Sequence, residues 1–180
     1  MYNEEQSYKR FPKVPLERRV GAFLIDFIAV WLISSLLGFN NFFVQWLVFM
    51  LGWLAMRVLL VDKNKGQSLG RWCFDLKILD LRFNAIPDLL SLTKRETIVG
   101  LAASLAMFGF QINFRNGLSM LLLNAPLLVD CLSAFVDEEL NQALHDRFAQ
   151  TIIIQSQRGF SLDLRLKKLL AQLRQNMRKY

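Results

Sequence analysis

The sequence predicts an all-α membrane protein: four transmembrane helices in two hairpins, with a small cytoplasmic strand pair and a C-terminal amphipathic helix. Three observations lead there. Of the 180 residues, 53% are hydrophobic and 21% charged, and the charges withdraw from four apolar stretches, about 20–39, 42–61, 97–114 and 117–136. Each stretch is close to the roughly 20 apolar residues that a helix needs to cross about 30 Å of hydrocarbon. The segments between them are lopsided in charge. Lys and Arg number five in residues 1–19, seven in 62–96 and eight in 137–180, against none at 40–41 and one, Arg115, at 115–117. By the positive-inside rule, both termini and the long central segment face the cytoplasm and two short turns face outside.

Each element follows from local signals. Residues 1–17 are polar and broken by Pro12 and Pro15, which makes a cytoplasmic tail. The first apolar stretch has nineteen mostly polar residues before it and no small-x-small cleavage site after it, so it reads as a span and not a signal peptide. Asn40-Asn41 turns the chain into the second span, and DKNKGQSLGRW (62–72) is a polar, glycine-containing turn. CFDLKILDL (73–81) alternates apolar and polar residues as a short strand does. Asn84 and Pro87 end it and open the third helix, which runs amphipathically over 88–96 before entering the membrane. Gln111 and Asn113 sit near that span's end, and Arg115-Asn116-Gly117 makes a tight hairpin to the fourth. DEELNQALHDRF (137–148) opens on three acids, as a helix N-terminus favours. TIIIQ (151–155) is β-branched and apolar. A lone strand cannot satisfy its backbone, and 73–81 is the other strand candidate on the same side, so the two are expected to pair.

Residues 156–180 complete the chain. From Phe160 onward, Leu162, Leu166, Leu169, Leu170, Leu173 and Met177 fall at helical spacing, with Arg165, Lys167, Lys168, Arg174 and Arg178 elsewhere on the wheel. Such a helix suits anionic lipid headgroups on the cytoplasmic leaflet, or equally a partner subunit.

Composition and motifs also exclude. Topology accounts for the net charge of +7, and no basic platform interleaved with aromatics points to nucleic acid. Cys131 lies in a span and Cys73 in a loop, so neither a disulfide nor a metal site is expected. His145 is the one histidine, and no further ligands at metal-binding spacing accompany it. No nucleophile elbow, zinc-protease or phosphate-loop motif is present, and no cofactor or enzymatic activity is expected.

Three ionisable residues fall inside the spans: Asp26, Arg57 and Asp130. Insertion of one at a helix centre costs about 2.5–3.5 kcal/mol, so each needs a partner, a wet cavity or a function. At about 1.5 Å per residue, Asp26 lies roughly 9 Å, Arg57 roughly 7 Å and Asp130 roughly 9 Å from the cytoplasmic ends of their helices. They share one layer. Arg57 is expected to face Asp26 across the first hairpin, with Asp130 as a second acceptor for its planar guanidinium. Arg19 lies two turns from Asp26 on the same face, too far for direct contact but within reach of a shared water. The layer is either glue between helices or part of an ion or proton path.

RVGAFLID (19–26), GQSLGRWCFDLKILD (66–80) and LHDRFAQTIII (144–154), in this order around the spans, resemble the RDD family of small bacterial membrane proteins, across about residues 16–155. The resemblance places the family's Arg at Arg19 and its two Asp at Asp26 and Asp146. It divides the chain into a tail (1–17), an RDD-like transmembrane domain (18–155) and a basic helix (156–180) that lies outside the family pattern. It implies a multi-pass protein of the bacterial cytoplasmic (inner) membrane, for which transport, including cation/proton exchange, has been suggested. The alternative is a non-catalytic scaffold or assembly factor. Four short helices leave little room for an alternating pathway, so transport would also predict a homo-oligomer.

Overall fold

In the computed structural model, the described residues are 14–38, 41–111, 116–137 and 140–156, with Ser161, Leu162, Leu164, Arg165, Lys168 and Gln172 beyond them. Helix α1 (Leu16–Leu37) follows Pro15, which lacks the N–H a helix start leaves unused. It ends at Gly38, whose N–H donates to the Ser34 carbonyl. Ala22, Asp26, Phe27, Val30 and Ser34 are its buried residues, three or four apart on one stripe. Val20, Leu24, Ile28, Leu32 and Leu36 on other faces are exposed. An apolar outer surface with a partly polar inner stripe suits a helix whose solvent is lipid.

Helix α2 (Phe42–Lys63) starts on Asn41, whose side chain accepts from the Phe43 and Val44 N–H groups. Its ladder loosens into a π-turn at Ala55–Leu59, with Arg57 in the middle. A short helix α3 (Leu69–Cys73), capped by Ser68, precedes strand β1 (Leu76–Asp80). Helices α4 (Leu89–Gln111) and α5 (Gly117–Val136, with Pro126 inside) pack along one another. Helix α6 (Leu144–Phe148) leads into strand β2 (Thr151–Gln155). The strands pair antiparallel, from Leu76 opposite Gln155 to Asp80 opposite Thr151.

Between the helices the core is aromatic and small-residue packing: Phe27, Val30, Phe49, Trp53, Val99, Ala103 and Met107. Lipid tails are as apolar as these side chains, so contact quality and polar pairing hold such helices together more than hydrophobic burial does. A Cβ on Gly100 would meet the Trp53 indole at 2.8 Å, so glycine sets how closely α2 and α4 approach.

Local details depart from the sequence expectations. Residues 69–73 are helical, so the strand begins at Leu76 and not near 73. Ser68 causes this, because its hydroxyl accepts from the Arg71 N–H and starts a turn of helix. The helix expected from Asp137 begins at Leu144. Asp137 uses its carboxylate on the N–H groups of Leu140 and Gln142, which closes a turn. Among the described residues, three helices (α1, α2 and α5) are long and apolar enough to cross a membrane. Lys94, Arg95 and Glu96 in α4 set that helix apart from them.

Candidate functional site

The fold gathers charges from α1 to α6 into one buried network. It begins at Asp26, whose side chain is fully buried. Its Oδ2 accepts from Arg57 Nη1 at 3.0 Å and from Ser68 Oγ at 2.6 Å, and its Oδ1 accepts from the Gly70 N–H at 2.7 Å. The last bond requires glycine, because a Cβ on residue 70 would lie 1.9 Å from the Ala22 carbonyl oxygen. Gly70→Ala is therefore expected to lift α3 off α1. It removes a hydrogen bond to a charge, about 1.5–3 kcal/mol, and adds overpacking of about 1–3 kcal/mol. A thermal melt of the purified variant checks this, and an unshifted midpoint would show that α3 is not seated through Gly70.

The π-turn presents Arg57 to two acceptors. Its Nη1 serves Asp26, while Nε and Nη2 fork onto Glu96 at 2.7 and 3.3 Å. The guanidinium also lies over the rings of Trp53, 4.8 Å from its centroid, and Phe23, at 5.6 Å. Both contacts favour a cation. π-Turns inside helices recur at functional sites, and this one turns a long side chain into the bundle.

Glu96 is the hub. Besides Arg57 it accepts from Arg71 Nη2 at 3.0 Å and from Arg95 Nη1. Arg95 then reaches Asp146, with Nε and Nη2 at 2.9 and 2.7 Å from Oδ1. Asp146 Oδ2 accepts from Arg19, which also donates to the Asn141 carbonyl. His145 Nδ1 lies 2.5 Å from Asp130 Oδ2, and the His145 backbone N–H donates to Asp130 Oδ1 at 3.1 Å. His145 Nε2 is 3.0 Å from Arg95 Nη2. A carboxylate can only accept here and a guanidinium can only donate. The neutral ring consistent with both carries its proton on Nδ1 and accepts at Nε2.

Burial decides how these contacts act. Desolvation alone would raise the Asp146 carboxyl, but Arg95, His145 and Arg19 overcome it and hold the group far below the ordinary carboxylate range. Arg71, fully buried, goes the other way. Burial and the like charges of Arg57 and Arg95 pull its guanidinium down to about 9, against the opposing pull of Glu96 and Asp26. Such a network is weak evidence for net stability, yet removing one partner is severe because the others stay buried.

Several residues singled out in the sequence meet. Asp26 contacts Arg57, and Arg19 forms an ion pair with Asp146. Arg19 is thus engaged directly by Asp146 and the Asn141 carbonyl. Asp130 is not the second acceptor of Arg57. That role falls to Glu96, and Asp130 joins the network through His145. Of the tail cations, Arg165 and Lys168 are exposed helical residues. Lys167, Arg174 and Arg178 lie outside the described residues. Sequence reasoning missed Glu96, Arg95, Arg71 and Ser68 as members. A signal was present in Arg95-Glu96, an opposite-charge pair that directly abuts the apolar run from residue 97. Among the described residues, no three His, Cys, Asp or Glu side chains cluster as a metal site would require.

Apolar helices around an internal ion network define an integral membrane protein. The sequence model of the RDD family matches residues 13–150, and the chain belongs to that family. Arg19, Asp26 and Asp146, the positions that carry the resemblance, all lie in the network. No curated protein and no solved structure matches the chain.

Proposed function

We propose that the chain is a non-catalytic scaffold of a bacterial cytoplasmic membrane, in which the ion network clamps the α3–β1–β2–α6 cap onto the helix bundle. One observation carries this reading. The carboxylates of Asp26, Glu96, Asp130 and Asp146 are each taken up by protein donors, mostly arginines. A cation entering the network would have to displace a guanidinium from Asp26, Glu96 or Asp146, or His145 from Asp130, and like charges would oppose it. Four spans fit this reading, with the apolar stretch 97–114, which begins within α4, as the third. Both termini are then cytoplasmic, and the basic 156–180 segment lies on anionic headgroups. A label at Asn116 is expected to react from outside only. Labelling of residue 64 from outside would sink this topology.

A second reading, proton-linked transport, is favoured by the Asp130–His145 pair. Its side chains are about a tenth exposed, more than those of Glu96 or Arg95. Proteoliposomes with a pH gradient and Na⁺, K⁺ or Li⁺ separate the two readings. The clamp predicts no flux above protein-free vesicles. Flux that disappears in Asp130→Asn, at unchanged melting temperature, would establish transport instead.

A further inference from the structure

A cavity of about 90 Å³ lies beside the network, bounded by α1, α5 and the cap. Val20 and Phe23 line it from α1, Ala134 and Phe135 from α5, and Ala143 and Ile153 from the cap. Arg19, Arg57, Arg71 and Arg95 border it as well, yet its surface is overwhelmingly apolar. Their heads are engaged elsewhere: Arg19 and Arg95 by Asp146, Arg57 by Asp26, and Arg71 by Glu96. What the arginines give the wall is their carbon stems. Arg71 Nη1 has no hydrogen-bond partner among the described residues, but it is buried away from this space.

Such a space is poorly suited to water and costly to leave empty. A buried water needs about two to four polar partners, and Asp130 and His145, the other polar groups on the wall, already bond each other. Left empty, the wall forfeits van der Waals contact along one side. The volume is more than half that of an apolar cavity of about 150 Å³ that stays dry and takes up benzene.

The opening points to what fills it. Among the described residues, α1 packs mainly on α2 and α3, and α5 on α4 and α6, so no continuous seam closes the gap between α1 and α5. Both helices are long and apolar enough to cross a membrane, and Val20 and Phe135 at the mouth are 41% and 61% exposed. The cavity residues of α1 and α5 lie within about 10 Å of the Leu16 and Val136 ends of helices about 30 Å long. That length matches the hydrocarbon thickness, so the mouth opens at the depth of acyl chains. An adjoining groove shares Leu16, Val20 and Phe135 and runs on past Leu24 along α1. An apolar groove that leads into a small apolar cavity fits a linear alkyl chain.

We infer that this cavity holds a segment of one acyl chain of a membrane lipid, which enters from the bilayer between α1 and α5 and packs against the cap. The lipid supplies the contact that α1 and α5 do not make with each other. The inference needs only that α1 and α5 cross the membrane, and it holds for a scaffold and for a transporter alike.

Photolabelling tests it. The full-length protein is placed in phosphatidylcholine nanodiscs containing a minor share of phosphatidylcholine with a diazirine on one acyl chain. The diazirine sits near the glycerol in one preparation and at the chain end in another, and peptide mass spectrometry locates the adducts. Surrounding lipid labels exposed residues such as Leu24 and Leu132 in any case. The site predicts further adducts, from at least one probe, at Ala143 and Ile153, which are 4% and 9% exposed and out of reach of surrounding lipid. Ala134→Leu fills the space and touches no ion pair. It should lose the adducts at Ala143 and Ile153, keep those at Leu24 and Leu132, and melt no lower than the parent. Should it melt lower, Val20→Trp, which narrows the mouth from the exposed face, is read instead, with the same loss expected. No adduct at either cap residue from either probe, or unchanged adducts in these variants, would overturn the assignment. Water in the cavity would overturn it too. Cys131 lines the space, and Cys73 is the only other cysteine of the chain. In Cys73→Ser protein, Cys131 should therefore resist a charged, water-soluble thiol reagent, and reaction at the rate of an exposed thiol would show that water fills the site.

Discussion

Glu96→Gln is expected to be the most damaging single substitution in the chain. The carboxylate takes hydrogen bonds from Arg57, Arg71 and Arg95, contributed by α2, α3 and α4. A neutral amide has one acceptor oxygen and brings two donors, so it leaves Arg71 with no carboxylate and leaves Arg57 and Arg95 with only Asp26 and Asp146 to offset their charge. Breaking one buried ion pair costs about 3–5 kcal/mol, and here one change breaks three. Against a total stability of about 5–15 kcal/mol, the protein should fail to accumulate in membranes, or melt far below the parent. The double variant Glu96→Gln/Arg71→Gln removes the guanidinium that already has an unmet donor and should recover part of the loss. A Glu96→Gln protein that melts with the parent would show that Glu96 is not the hub.

The second large effect belongs to Asp26 and Arg57. Asp26→Asn keeps the shape but turns an acceptor into a partial donor against Ser68, Gly70 and Arg57. Arg57→Met deprives Asp26 and Glu96 together, and each single change should lower stability by about 3–5 kcal/mol. The double variant should be less damaging than the sum, with a coupling of about 0.5–3 kcal/mol, as for residues in direct contact. The recovery should be incomplete, because Glu96 still lacks its Arg57 fork. Thermal melts of the four proteins measure the coupling. Strict additivity would show that the two side chains do not meet in solution. Full recovery would mean that Glu96 gains nothing from Arg57.

The sequence carried the large apolar helices and the strand pair well, for physical reasons. Length and hydropathy mark α1, α2 and α5 directly, and β1 and β2 were paired because neither could satisfy its backbone alone. Depth along a helix also placed Asp26 and Arg57 at matching levels. Depth does not give the angle around the axis, however. Asp130 shares the layer, but the packing turns it toward His145 and away from Arg57. Glu96 escaped because it sits where an apolar run starts. A charge there reads as a solvated helix end, and only the seating of α3 on α1 shows that the place is fully buried. The π-turn at Ala55–Leu59 likewise left no trace in composition.

The partnership of Arg19 with Asp146 sets a clock on biogenesis. The two residues are 127 positions apart in the chain. At about 5–20 residues per second, ribosomes need roughly 6–25 s to make the second after the first. Through that interval α1 sits at the translocon with a guanidinium whose carboxylate has not yet been synthesised, and Arg95 waits for the same residue. Nascent chains stalled between residues 96 and 146 would thus carry uncompensated cations in a nearly complete bundle. These are the species that membrane chaperones would shield and quality-control proteases would clear, so steady-state abundance should respond to the speed of translation across this stretch as well as to the stability of the finished protein.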